Sequence, residues 1–159
     1  MQAPRITLVT VAAVLGLAAS TVHAQTPNPL VGTWEADMSK STFTPGPGPK
    51  SITLHVTQTD QGLKSVSDSV MGDGSKRHVE FTTKEDGKDS PIVGLPIADT
   101  VSVTRKGNTR TRVDKKDGKV VMTYDGTISA DGKTFTVRQK GTDPQGQPIT
   151  GTIVFSKKS

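Results

Sequence analysis

The chain has no cysteine in 159 residues, so disulfides, thiolate metal sites and cysteine nucleophiles are all excluded. Aromatic residues make up only 4%, with one tryptophan and one tyrosine, too few for the stacking platforms of single-strand nucleic-acid binders. No segment carries three or more turns of apolar residues at helical spacing, so a helical bundle is excluded as well. Long apolar runs are missing with one exception, Ile6 to Ala19, broken only by Thr7, Thr10 and Gly16.

That run follows a single early charge, Arg5, and closes on Val22-His23-Ala24, with small residues three and one positions before a cut at Gln25. This is the layout of a secretory signal peptide over residues 1–24. Its 14 apolar-region residues fall short of the roughly 20 that span a bilayer. No lipid-attachment cysteine follows, so no stable membrane anchor is expected and the mature protein should be periplasmic or secreted.

Removing the signal leaves 135 residues, room for one domain: a short polar lead at 25–29 and a single domain over 30–159. Only about 26% of those residues are apolar. A compact fold with so few must gather them on one side of its elements, as a half-buried antiparallel sheet does. The mature balance is +4, but lysine and arginine are scattered over nearly every strand and turn with acids among them. Even the densest stretch, Arg105 to Lys116, contains Asp114 and no aromatic. Scattered charge keeps strand edges soluble, and nucleic acid is not expected as a partner.

Turn signals recur through the chain, among them Asp86-Gly87, Gly107-Asn108, Asp117-Gly118 and Asp131-Gly132. Such pairs supply the positive φ of tight hairpins. Most gaps between them are 10 to 14 residues, one strand plus its turn. The spacing predicts strands at 31–37, 50–59, 63–71, 76–84, 88–93, 99–106, 109–116, 119–128, 133–141 and 148–157. Ile52, Leu54 and Val56 share a face, as do Val101 and Val103, and Ile149, Ile153 and Phe155. Two stretches, Ser39 to Pro49 and Pro91 to Ala98, are too rich in proline for regular strands. The expected fold is all-β: an up-and-down antiparallel meander closed into an 8–10-stranded barrel, with a β-sandwich as the alternative.

The first predicted strand opens on Gly32-Thr33-Trp34, followed by Lys40-Ser41-Thr42-Phe43 and Pro45-Gly46-Pro47. A Gly-x-Trp on the first strand of such a meander resembles the calycins: lipocalins, fatty-acid-binding proteins and avidins. The fuller set resembles small exported bacterial lipocalin-like proteins. The resemblance implies that Gly32 and Trp34 close one end of the barrel, with Trp34 packed by a basic residue from a late strand: Lys157, Lys158 or Arg138. It departs from fatty-acid-binding proteins, because residues 39–49 are too short and proline-rich for a two-helix cap. It departs from avidins, because Trp34 is the only tryptophan.

With thin-walled strands of Val, Thr and Ser, the interior of such a barrel has space for a small ligand. Strand alternation places Asp68 between Val66 and Val70, Arg105 in the row of Val101 and Val103, and Tyr124 after Val120 and Met122. These polar groups, with Phe81, are the candidate ligand-binding residues, Asp68 and Arg105 lining a wet mouth with Tyr124. No catalytic residue is assigned. His55 and His78 fall on outer faces without metal-ligand spacing, Gly72-Asp73-Gly74-Ser75 is a hairpin turn, and no metal or cofactor is expected. The expected function is to bind or carry a small apolar or amphipathic molecule, rather than catalysis. The alternative is a non-enzymatic envelope interaction protein that contacts a protein or polymer through its two irregular loops, with the barrel as scaffold.

Overall fold

A computed structural model describes residues 28–158. The predicted signal peptide and most of the polar lead lie outside the described residues. Eleven strands follow in order: β1 (Gly32–Ala36), β2 (Thr42–Thr44), β3 (Ser51–Thr59), β4 (Gly62–Val70), β5 (Lys76–Thr83), β6 (Asp86–Val93), β7 (Thr100–Lys106), β8 (Thr109–Lys116), β9 (Lys119–Ile128), β10 (Thr134–Thr142) and β11 (Pro148–Lys157). From β3 to β11 each strand pairs antiparallel with the next, and β1 pairs with both β3 and β11. That last contact, Trp34 beside Lys157 to Ala36 beside Phe155, closes the meander into a ten-stranded barrel and excludes the sandwich.

β2 is the element that the proline-rich composition of residues 39–49 conceals. It pairs with β11 alone, at Thr150 to Thr152, along the part of that strand that β1 leaves free. Asp37 ties the intervening turn: its backbone N–H donates to Val154 O at 2.7 Å and its carbonyl accepts from Ser41 Oγ at 2.7 Å. Pro91 likewise lies inside β6 rather than in a loop, opposite Thr100. β6 is the loosest strand of the wall, since it meets β5 at only two residue pairs, Glu80 with Val93 and Phe81 with Ile92.

Alternation along each strand decides what faces the lumen. Ile52, Leu54 and Val56 face inward from β3, and Val101 and Val103 from β7. On β4 the inward row is Leu63, Ser65, Ser67 and Ser69, so Val66, Asp68 and Val70 belong to the outer surface. On β8 it is Arg110, Arg112 and Asp114. At the β8–β9 ladder, Asp114 pairs with Met122 while Lys115 pairs with Val120, a bulge that leaves Val121 between them and turns Val120 out to solvent. Two apolar clusters result. One gathers Leu30, Trp34, Val56, Ile128, Phe135 and Phe155, and the other Val79, Phe81, Ile92, Ala98, Val101 and Val103.

Candidate functional site: a lumen sealed at one end and lined by arginines

The sealed end is built from the start of the described chain. Residues before β1 cross the barrel mouth, and Leu30 and Trp34 are fully buried there. Trp34 Nε1 donates to Leu30 O at 2.8 Å, so the indole satisfies its only polar group while plugging the end. Lys157 supplies the basic partner: its Nζ lies 5.1 Å from the centre of the Trp34 ring and donates to Pro29 O at 3.1 Å. Gly32, at φ 134°, makes room for it, because a Cβ there would stand 2.8 Å from Lys157 Cε. Of the other two candidates, Lys158 pairs with Glu35 on the outside at 3.0 Å, and Arg138 is exposed. Phe135 packs on both Trp34, at 5.8 Å between ring centres, and Phe155, at 5.9 Å, which fills this end with aromatic carbon.

Beyond Phe135 the lumen is not filled. A cavity of about 230 Å³ runs toward the opposite end, where Phe43, Pro49, Met71 and Leu95 form its rim. Three serines of β4, Ser65, Ser67 and Ser69, leave the space, because their side chains stop a short way from the wall. Apolar contact comes from Ile52, Leu54, Val79, Phe81, Val137 and Ile153. The volume lies just under the roughly 300–1,000 Å³ of pockets for drug-sized ligands, so a fully enclosed occupant must be small.

The polar side of the cavity belongs to three arginines, Arg77, Arg110 and Arg112. Arg112 makes a two-pronged contact with Asp114, Nε to Oδ1 and Nη2 to Oδ2, both at 2.7 Å, and Asp114 is wholly shielded from solvent. The Arg112 guanidinium lies between two rings, 4.6 Å from the centre of Phe81 and 4.7 Å from that of Tyr124. Burial opposes its charge, but the Asp114 carboxylate prevails and holds Arg112 above the ordinary guanidinium value. Arg110 donates from Nε to Glu85 Oε1 at 3.0 Å, and Glu85 also takes Arg105 Nε at 3.2 Å and Asn28 Nδ2 at 2.8 Å. Burial lowers Arg110 to about 10, only partly offset by Glu85, so it is cationic at neutral pH. Burial pushes the Tyr124 phenol up to about 12 and keeps it neutral.

Two residues of the lining carry a buried atom with no hydrogen-bond partner among the described residues: Ser65 at Oγ and Arg110 at Nη2. Thr83 Oγ1, one inward position beyond Phe81 toward the sealed end, is in the same condition. Buried polar atoms in folded proteins almost always find a partner, which sets these three apart from the rest of the interior.

No family model matches this chain, and no curated protein does. Solved structures of similar outline do exist. The zebrafish ileal bile acid-binding protein, solved with cholic acid, aligns over 82% of this chain and 100% of its own at 11% identity and a TM-score of 0.46. The siderocalin Ex-FABP, described as working through dual ligand specificities, aligns over 82% of this chain and 75% of its own at 10% identity and a TM-score of 0.37. What this barrel holds is decided by its own lining.

Of the residues expected at the site, Phe81 and Tyr124 line the cavity. Asp68 does not. It stands half-exposed on the outer wall with its Oδ1 2.7 Å from His78 Nδ1, because β4 turns its serines inward and its valines outward. Arg105 continues the inward row of Val101 and Val103, but at the sealed end, where it binds Glu85 and the Gly107 carbonyl. It is no part of the cavity mouth. Arg77, Arg110, Arg112 and Asp114 escaped the sequence reading, three of them hidden in the charge-rich stretch taken as a solubility feature. Their signal was Arg110-x-Arg112-x-Asp114, opposite charges on one strand face. The two irregular loops bring Pro49 and Leu95 to the cavity rim.

Proposed function

We propose that this chain is an exported binding barrel that holds or carries one small amphipathic molecule in its lumen. The observation that carries this reading is the cavity itself: about 230 Å³ between two apolar clusters, sealed by Trp34 at one end and lined by serines and arginines. A core evolved only for stability would fill such space, since each void forfeits packing energy and each unpaired buried polar group costs roughly 1–3 kcal/mol. Export is supported by the apolar run Ile6 to Ala19 and the small residues of Val22-His23-Ala24.

The reading is tested by mass spectrometry on protein purified without detergent from a host that exports it, first under native and then under denaturing conditions. A stoichiometric adduct that departs on denaturation is the expected result, together with a mature mass beginning at Gln25. Protein that stays free of adduct, and gains none when offered a panel of fatty acids, alcohols and sterols, contradicts it.

A further inference from the structure

We propose that Asp117-Gly118, at the tip of the β8–β9 hairpin, is a site of spontaneous self-modification, where the main chain passes from an aspartyl to an isoaspartyl link. The inference is independent of what the lumen holds. The chemistry needs only the chain and water. The Gly118 amide nitrogen bonds to Asp117 Cγ, its proton leaves with the carboxyl hydroxyl as water, and a five-membered succinimide closes. Water then reopens the ring. Attack at Cγ restores aspartate, and attack at the main-chain carbonyl leaves isoaspartate, with no net change of mass. Glycine favours the closure because no side chain shields its nitrogen.

The chain holds five Asp-Gly pairs, at 73–74, 86–87, 117–118, 125–126 and 131–132. The fold ties down four of them. Asp73 Oδ1 accepts from Ser75 N at 2.9 Å and from Ser75 Oγ at 2.7 Å, while Gly74 N–H donates to Met71 O at 2.9 Å. Asp131 Oδ1 accepts from Lys133 N at 3.0 Å, and Gly132 N–H donates to Ser129 O at 2.9 Å. Asp86 Oδ1 accepts from Lys88 N at 3.1 Å. Asp125 Oδ1 accepts from Thr111 Oγ1 at 2.9 Å, and Gly126 is buried within the ladders that join β9 to β8 and β10. A carboxylate held in this way must give up a charge-assisted hydrogen bond before it can react.

Asp117-Gly118 differs at both reacting groups. Among the described residues the Asp117 carboxylate makes no hydrogen bond or ion pair, and the Gly118 N–H finds no acceptor. Both residues are exposed, as are Lys116, Lys119 and Val120 around them. Asp117 also stands at φ 49°, in the left-handed region that is costly for a residue with a Cβ, so the tip gives up little by rearranging. One tie remains. The Asp117 N–H donates to Asp99 Oδ2 at 3.0 Å, and Lys116 Nζ stands 3.6 Å from the same oxygen. Asp99 closes the segment that brings Leu95 to the cavity rim. Isoaspartate adds one methylene to the main chain and moves the carboxylate onto Cα. That change takes the N–H off Asp99 and loosens the rim segment.

The experiment incubates the folded full chain in warm neutral buffer, beside the same chain in denaturant. Peptide mapping with electron-based fragmentation then separates the two links at equal mass. In the folded chain, isoaspartate should accumulate at Asp117 roughly tenfold or more faster than at any of the other four pairs, the rate margin of one hydrogen bond to a carboxylate. In denaturant the five pairs should react alike. Asp99→Ala should speed Asp117 severalfold and leave the other four unchanged. Hydrogen exchange at residues 95–99 should quicken in the aged protein. Asp73 or Asp131 reacting as fast as Asp117 in the folded chain overturns the proposal, and so does an Asp117 that reacts only in denaturant. A lead of Asp117 that persists in denaturant belongs to local sequence and overturns the structural account. Unchanged exchange at residues 95–99 overturns the reach to the rim while the site stands.

Discussion

Two sets of strands in one barrel wall are built on opposite plans. β10, β11 and β1 turn Phe135, Ile153, Phe155 and Trp34 inward as one packed apolar cluster. β4 and β5, and β8 two strands further on, turn three serines and three arginines into the cavity. Both are half-buried antiparallel sheet with the same alternation. The difference therefore lies in side chains alone, and it separates the part of the interior that holds the fold from the part left for an occupant.

The comparison is broken most severely from the solid side. Trp34→Ala deletes the plug and strands the Leu30 carbonyl, and should cost about 3–5 kcal/mol, read as a lower denaturant midpoint. On the hollow side, Asp114→Ala should cost a comparable ~3–5 kcal/mol, because it leaves the Arg112 guanidinium buried without its carboxylate. Pairing it with Arg112→Met should recover most of that loss, whereas no second substitution on the arginine side should rescue Trp34→Ala.

Smaller effects sharpen the contrast. The protein has a single tyrosine, so absorbance reports Tyr124 alone, with a midpoint near 12 in the folded protein and near 10 in denaturant. The sign follows from the raised value. The phenol's contribution to stability is intact below pH 10 and fades as the pH climbs from 10 toward 12, so alkaline unfolding should begin in that window. Ser67→Leu places a side chain in vacant space and should shift stability little, whereas an enlargement at the fully packed Val56, which does not line the cavity, should cost about 1–3 kcal/mol. Smallest of all, Asp68→Ala should change stability by no more than ~1 kcal/mol, since its pairing with His78 leaves both side chains more than half exposed.

Turn spacing and alternation made the architecture legible: strands 109–116, 119–128 and 148–157 fall where the hairpin rhythm puts them. β2 was illegible because its three residues adjoin three prolines and draw their pairing from β11, more than a hundred positions away. Which residues face the lumen was harder to read, for one physical reason. Apolar residues were taken to mark the inside, and a hollow wall inverts that rule. On β4 the valines face water and the serines face the lumen, which sent Asp68 to the wrong side. On β8 the inward row is charged, so Arg110, Arg112 and Asp114 looked like surface. Tyr124 and Phe81 face the lumen as expected of aromatic side chains, which seek the interior under either plan.

The central claim is that the serine-lined arc encloses the ligand space. The most direct measurement is octanoate titration of the native chain beside Ser67→Leu, with circular dichroism and denaturation confirming that both are folded. The account predicts saturable one-to-one binding by the native chain and none by the variant. Equal binding by both would place the ligand outside the lumen and contradict it.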